Sequence, residues 1–284
     1  METYDLAMRQ DALKRMETSN ALRRAINGQE LRAHYQPILD LETGRVTSLE
    51  ALVRWQHPTR GLIPPGDFIP IAEETGLIVP LGDWMLEESC RQLREWLDAD
   101  VVSASFSINV NLAAAHLRQS GLPQRVLEVL QKYGLEPSQI NLEITESSVI
   151  GGHDGVIEIL EQLRDLGIRL HLDDFGTGYS SLSYLQRLPI QTLKIDQSFL
   201  RGIQHQRDRE IVGAVVGLAR ALELNVVCEG IETLEHHEWL RGLGCPCGQG
   251  YFYARPGPAQ TIRDLLGRDL LGHQALLPEN ATRP

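Results

Sequence analysis

The chain has 284 residues, of which 42% are hydrophobic and 23% are charged, so it is long and apolar enough to bury one large core. Its formal net charge of −11 disfavours binding to polymeric nucleic acid, because such proteins need a basic surface that neutralises phosphates. A small phosphate-containing substrate is compatible with this charge, since bound cations reverse the local potential. No stretch approaches the roughly 18 apolar residues of a membrane segment. The four cysteines lack zinc-site spacing, and we expect a reduced, cytoplasmic protein.

The first half of the chain begins with a predicted helix and a hairpin. Gly28 is a typical helix stop, Gly44 ends a turn between two strand-like runs, and Asp83 is a candidate helix cap. The elements predicted up to residue 133 are, in chain order, a helix over 11–27, strands over 32–39 and 45–54, a helix over 83–97, a strand over 104–111 and helices over 113–118 and 123–133.

The second half alternates strands and helices more regularly. The predicted elements are a strand over 140–145, a helix over 155–166, a strand over 168–173, a short helix over 180–187, a strand over 190–195, a helix over 208–223, a strand over 225–229, a helix over 233–242 and a strand over 247–253. Eight strands alternating with helices predict an α/β fold of the (β/α)8 TIM-like barrel type, in which the hairpin makes the first strand antiparallel. We assign the barrel to 29–272 and a C-terminal tail to 273–284.

Polar side chains follow most predicted strands at their C-terminal ends, and Asp173-Asp174 is the sharpest case. Two adjacent carboxylates near a core repel each other, and a divalent cation between their oxygens would relieve the repulsion. Alternatively, one Asp caps the next helix and the other faces water. Because strand ends converge at one mouth of a barrel, we expect a single site. It would collect Glu50, Asn111, Glu143, Asp173, Asp174, Lys194, Asp196 and Glu229.

Several of these residues lie in motifs that resemble those of EAL domains, bacterial phosphodiesterases that linearise cyclic di-GMP. The segment Glu50-Ala51-Leu52-Val53-Arg54-Trp55 resembles the signature of that family. The resemblance covers roughly 30–255, and the motifs occur in the family's order. The other motifs are Tyr35-Gln36-Pro37, Val110-Asn111-Leu112, Leu142–Ser147, Asp173–Leu182, Leu193–Asp196, Cys228–Thr233 and Gly248–Tyr251.

The resemblance implies two divalent cations, Mg²⁺ or Mn²⁺, and a water that they activate. The implied ligands are Glu50, Asn111, Glu143 and Asp173 for one ion, and Asp173, Asp174 and Glu229 for the other. Lys194, with Asp196 on the same strand, would orient that water or assist proton transfer. Glu232 and Gln249 match positions that support the lysine and the second ion's water shell. Read without the family, Lys194 is a strand-end lysine, and Glu229 and Glu232 are acids of a helix start.

The same resemblance implies substrate contacts and regulation. The implied contacts to guanine and phosphate come from Gln36, Leu52 and Arg54, and a guanidinium pairs well with phosphate. Loop residues implied to link homodimer formation to metal binding are Glu146, Phe175, Gly176, Thr177 and Gly178. Residues 1–28 resemble the linker helix that joins an upstream GGDEF (diguanylate cyclase) domain, or a sensor domain, to an EAL domain.

Hydrolysis of cyclic di-GMP to linear pGpG, as part of bacterial second-messenger signalling, is therefore the function that we expect. The main alternative is a catalytically silent receptor that binds cyclic di-GMP. Such members normally lack one or more of the acids, and none is missing here. A third reading is another barrel metalloenzyme in which Lys194 abstracts a proton.

Overall fold

The computed structural model describes residues 2–150, 155–176, 182–203, 205–266 and 270. Within these ranges one mixed sheet contains ten strands, eight of which close into a barrel. The strands are β1 (Leu31–Asp40), β2 (Val46–His57), β3 (Gly61–Ile63), β4 (Ser107–Leu112), β5 (Ile140–Thr145), β6 (Arg169–Phe175), β7 (Thr192–Ile195), β8 (Asn225–Cys228), β9 (Cys247–Gln249) and β10 (Gly257–Pro258).

Helices connect most of these strands and pack on the outside of the sheet. They are α1 (Glu2–Asn27), α2 (Pro65–Glu74), α3 (Ile78–Asp98), α4 (Leu122–Tyr133), α5 (Glu146–Ile150), α6 (Val156–Asp165), α7 (Leu182–Leu185), α8 (Ser198–Arg201), α9 (Gln206–Ala221), α10 (Leu234–Gly242) and α11 (Ala259–Arg263), with a 3-10 turn at Pro137–Gln139. No helix in the described ranges is long and apolar enough to cross a membrane.

The order around the barrel is β1, β2, β4, β5, β6, β7, β8 and β9, and β9 returns to β1. Strand β1 is antiparallel to both of its barrel neighbours, whereas the other neighbouring pairs are parallel. This arrangement confirms the predicted TIM-like barrel and its antiparallel first strand. The carboxyl ends of the seven parallel strands consequently lie at the same mouth of the barrel.

Two apolar clusters hold the fold together. The larger one lies between the barrel strands and their helices, where Leu142 and Ile144 of β5 and Leu160 and Leu163 of α6 are buried. The smaller one joins α1 and α2 to the end of β2 around Trp55, which is fully buried. Burying side chains of this size contributes about 1.5–3 kcal/mol each. The C-terminal part of α1 is therefore packed onto the barrel.

Some predicted elements end or begin elsewhere in the structure. Helix α3 begins at Ile78, so Asp83, the predicted helix cap, lies inside the helix. The Asp83 carboxylate instead accepts a hydrogen bond from Arg125 Nε at 2.7 Å. The helix predicted over 113–118 is a series of turns, and the strand predicted over 247–253 stops at Gln249. The chain turns there because Tyr253 and Ala254 donate backbone hydrogen bonds to Gly250. The predicted tail at 273–284 and the loop residues Thr177 and Gly178 lie outside the described residues.

Candidate active site

A buried lysine lies at the centre of the barrel mouth. Lys194, on β7, is only 1% exposed. Its Nζ lies 2.6 Å from Glu229 Oε1, 2.8 Å from Glu143 Oε2 and 3.1 Å from Asp173 Oδ1. Glu50 Oε2 lies farther away, at 3.6 Å. The acids come from β2, β5, β6 and the residue after β8, so the fold brings together groups that are far apart in the sequence.

One ammonium group does not balance the negative charge of this cluster. Burial alone would lower the pKa of Lys194, but Asp173, Glu143 and Glu229 outweigh burial and hold that pKa well above its ordinary value. Burial, with Asp173 and Glu50 nearby, raises the pKa of Glu229 to about 8 in spite of Lys194. Burial and repulsion from Glu50 and Asp173 likewise raise the pKa of Glu143. Burial is the largest cause of both shifts, and repulsion among the carboxylates adds to it. Burial would also raise the pKa of Glu50, but Lys194, Gln249 and Asn111 outweigh burial and lower that pKa.

The adjacent pair Asp173 and Asp174 lies where β6 becomes irregular. The pairing with β7 shifts register between Leu172 and Phe175, and Asp174 has a left-handed backbone with φ of 54°. Such a conformation costs a non-glycine residue about 1 kcal/mol and is frequent at functional sites. Burial raises the pKa of Asp174, and repulsion from Asp173 and Asp196 adds to it. Asp174 therefore senses the same negative cluster as its neighbour.

Hydrogen bonds fix both carboxylate oxygens of Glu50. Asn111 Nδ2 donates to Oε1 at 2.9 Å, and Gln249 Nε2 donates to Oε2 at 2.6 Å. Gln249 Nε2 also donates to Gln36 Oε1 at 2.9 Å, and Gln36 Nε2 donates to the Ala254 carbonyl at 3.1 Å. The structure thus places Gln249 and Gln36 behind Glu50, where they set the direction of its carboxylate.

Two of the expected catalytic acids lie outside the cluster around Lys194. Asp196 follows β7, is half-buried and accepts a hydrogen bond from the Ser198 amide at 2.9 Å. Glu232 is exposed on the wall of a cleft beside the cluster. Neither carboxylate lies among the groups within 4 Å of the lysine in the described part of the chain.

Two adjoining clefts open at the mouth, and Leu52 lines both. One, of about 220 Å³, reaches Glu50 and Glu229 and is bordered by Tyr251. The other, of about 260 Å³, is mostly apolar and includes Asn111. Arg54 is half-buried near this region; burial lowers its pKa, which Tyr251 and Glu50 partly restore. The clefts offer a polar part next to the acids and an apolar part beside it, a combination typical of small-molecule sites.

The loop after β6 contacts the start of α5. Glu146 is buried, and its Oε2 accepts a hydrogen bond from the Gly176 amide at 3.1 Å. Gly176 has φ of 95°, and a side chain there would collide with the Phe199 ring. Phe175, just before it, is buried. This hydrogen bond thus joins the start of α5 to the end of the strand that bears Asp173 and Asp174.

A buried polar layer beneath the acids was not predicted. Asn109, Asn141 and His171 lie two residues before Asn111, Glu143 and Asp173, and therefore point to the same side of their strands. Asn109 Nδ2 donates to Glu143 Oε1 at 2.8 Å and lies 3.3 Å from His171 Nδ1. The signal in the sequence is a polar residue two positions before Asn111, Glu143 and Asp173, in runs that are otherwise mostly apolar.

The donor set of the site suits divalent cations. Carboxylate and amide oxygens are preferred by Mg²⁺ and Mn²⁺, and the raised pKa values of Glu143 and Glu229 reflect burial first and repulsion from neighbouring carboxylates second. Among the described residues no three Asp, Glu, His or Cys side chains already form an ion-binding group. The acids are drawn instead onto Lys194. An ion would therefore compete with Lys194 for these carboxylates, and the residue types fit such an ion.

The chain matches a known protein family over most of its length. The model of the EAL domain family matches residues 19–256. MucR of Pseudomonas aeruginosa, a bifunctional diguanylate cyclase/cyclic di-GMP phosphodiesterase, is 44% identical over 260 residues, which is 91% of this chain and 38% of MucR. The cyclic di-GMP phosphodiesterase PdeR of Escherichia coli is 44% identical over 239 residues, 84% of this chain and 36% of PdeR.

A solved structure of the PaMucR phosphodiesterase in complex with c-di-GMP superposes with a TM-score of 0.82 at 46% identity, covering 87% of this chain and 99% of that chain. The chain spans somewhat more than a third of the length of these two curated relatives. The family model covers most of the sequence, and the PaMucR structure is matched over nearly its whole length. The chain therefore belongs to the EAL domain family.

Proposed function

We propose that this chain hydrolyses one phosphodiester of cyclic di-GMP to linear pGpG in bacterial second-messenger signalling. The observation that carries the proposal is the convergence of Lys194 with Glu50, Glu143, Asp173 and Glu229 beside an open cleft. MucR and PdeR bear cyclic di-GMP phosphodiesterase in their names, and this chain resembles both over most of its length.

Two divalent cations, Mg²⁺ or Mn²⁺, complete the proposed site. When bound, such ions lower the pKa of a water and stabilise charge that develops on the phosphate. The residues that would hold them are Glu50, Asn111, Glu143, Asp173, Asp174 and Glu229. Their oxygen donors and the excess of negative charge around Lys194 support this assignment.

The chain's own groups then have distinct tasks. The Lys194 ammonium has three protons that can donate hydrogen bonds, and it lies among the proposed metal ligands. It is therefore suited to orient the attacking water. Gln249 and Asn111 keep both oxygens of Glu50 in place. Asp196, whose charge acts on Asp174, would assist proton transfer, and Glu232 would support the cleft wall.

Substrate contacts come from the residues around the clefts. Arg54 is a basic side chain whose charge interacts with Glu50 and Tyr251, and its guanidinium would pair with a phosphate of the dinucleotide. Leu52 lies between the polar and apolar clefts, where it would contact a guanine. Gln36 would add a polar contact from behind Glu50.

Regulation and assembly form a further part of the proposal. The hydrogen bond between Glu146 and the Gly176 amide would transmit homodimer formation to the metal ligands. Helix α1 would serve as the linker from an upstream GGDEF or sensor domain, and the domain would act in the cytoplasm. Light scattering with and without substrate measures dimer formation directly.

The test is incubation of the purified chain with cyclic di-GMP and Mn²⁺ or Mg²⁺, with products resolved by chromatography. We expect pGpG, its loss on chelation, and no product from Glu50→Ala. Glu95→Ala, which removes an exposed acid of α3, is the matched control and should retain turnover. Binding without product would identify a silent receptor instead. The absence of both binding and product would refute the assigned substrate. Turnover by Glu50→Ala would refute the metal assignment.

A further inference from the structure

The interior of the barrel is polar directly below the metal-binding mouth. Asn109 on β4 and Asn141 on β5 are 0% and 3% exposed, and Ser107 beside them is also buried. Barrel interiors of this kind are usually filled by branched apolar side chains. A buried amide destabilises a fold unless its hydrogen bonds are satisfied. The presence of these amides therefore calls for a specific set of partners.

The hydrogen bonds of this layer begin at the amide nitrogen of Asn141. Asn141 Nδ2 donates to Ser107 Oγ at 3.0 Å and to Asn109 Oδ1 at 2.8 Å. Because Asn109 Oδ1 is held toward Asn141, its amide nitrogen faces the opposite way. There Nδ2 donates to Glu143 Oε1 at 2.8 Å. The series thus starts at Asn141, which also donates to the Ser107 hydroxyl, and ends on a carboxylate of the proposed metal site.

This series divides the two oxygens of Glu143. Oε1 is bound from below by Asn109, whereas Oε2 lies 2.8 Å from Lys194 Nζ at the mouth. Glu143 is 1% exposed, so water does not stabilise its charge. A hydrogen bond from Asn109 therefore favours the charged form and fixes the rotation of the carboxylate.

We propose that Asn109 is a positioning residue for Glu143, and that Asn141 sets the direction of the Asn109 amide. Acting in series, they hold Glu143 with Oε2 at the mouth, where Lys194 and a divalent cation would compete for this oxygen. The inference rests on the proposed metal-dependent function. Partners of this kind, which orient a metal ligand, typically change metal affinity 10–100-fold when they are removed.

The experiment measures Mn²⁺ binding by calorimetry, without substrate, for wild type, Asn109→Leu, Asn141→Leu and the double variant. We expect Asn109→Leu to weaken Mn²⁺ binding at least ~10-fold. Asn141→Leu should weaken it less, because Asn109 can still adopt the correct orientation part of the time. The double variant should equal Asn109→Leu, since residues acting in series are not additive. The proposal would be overturned if the losses of Mn²⁺ affinity in the two single variants were additive in the double variant. It would also be overturned if Asn109→Leu bound Mn²⁺ with unchanged affinity.

Ser89→Ala is the matched control, because Ser89 is a fully buried polar residue of α3 outside this hydrogen-bond series. It should bind Mn²⁺ as wild type does, and circular dichroism without metal checks the fold of each variant. If Asn109→Leu fails to fold, the smaller substitution Asn109→Ser is used in its place. Unchanged Mn²⁺ affinity of that variant would again overturn the proposal. A wild type that binds no Mn²⁺ overturns the proposed function and this inference with it. Wild-type binding with an unaffected Asn109 variant overturns the inference alone.

Discussion

Lys194→Met removes the central ammonium while keeping a side chain of similar length. Nζ lies between 2.6 and 3.6 Å from four carboxylates, so the variant leaves buried acids without their cation. Breaking a buried ion pair in this way costs about 3–5 kcal/mol. Because Glu143 and Glu229 already have raised pKa values and can take up protons, we expect the lower end, about 3 kcal/mol.

For a chain of this size each kcal/mol corresponds to about 2–4 °C, so the metal-free variant should melt about 6–12 °C below wild type. Thermal unfolding followed by circular dichroism, with a chelator present, measures this difference. Lys132→Met is the matched control: Lys132 is exposed, and its ion pair with Glu87 is on the surface, where removal should barely change the melting temperature.

Addition of Mn²⁺ extends the test to the proposed metal site. The ion should raise the melting temperature of Lys194→Met more than that of wild type, because it no longer meets a competing ammonium among the acids. Equal melting temperatures of the two metal-free proteins would refute the charge argument. Equal gains from Mn²⁺ would refute the idea that the lysine and the metal share the same carboxylates.

Three other changes have defined outcomes. Arg54→Ala should raise the KM for cyclic di-GMP about 10–100-fold in steady-state assays, because the variant loses one hydrogen bond to a charged group. An unchanged KM would show that Arg54 does not contact the substrate. Gly250→Ala should prevent folding, because its Cβ would collide with the backbone of Ile231, whereas Gly217→Ala, in an open helical position, should raise the melting temperature by about 2 °C. Burial raises the pKa of Glu229 from 4.5 to about 8, so the metal-free fold favours the protonated form of this side chain. The free energy of unfolding measured in urea should therefore fall as the pH rises from 4.5 to 8. An increase over this range would contradict the raised pKa of Glu229.

The strand ends could be predicted because the information is local. An apolar run followed by an acid identifies Glu143 or Glu229 without knowledge of the rest of the chain, and alternation with helices then gives the barrel. Helix α2 was missed because Pro64, Pro65 and Pro70 resemble loop signals. Yet proline is favoured at a helix's first position, and Pro65 occupies it.

The arrangement within the site depends on contacts that no local pattern contains. Nothing near Lys194 in the sequence indicates that its ammonium is fully enclosed by acids from four strands. Likewise, Gln249 was expected near a metal-bound water, whereas the structure places its amide on Glu50 Oε2. Such pairings follow from how the barrel closes, which only the three-dimensional structure reveals.

The pairing of β1 with β9, which closes the barrel, determines at what point of its synthesis the chain can form the complete site. The hydrogen bonds of Gln249 to Gln36 and Glu50 join positions 213 and 199 residues apart. A nascent chain that ends before β9 contains every carboxylate of the cluster but lacks the strand that seals the seam and steadies Glu50. Under the proposed function, a truncated chain without β9 would not hold Glu50 in place and would not hydrolyse cyclic di-GMP, so activity would require that nearly the whole domain has left the ribosome.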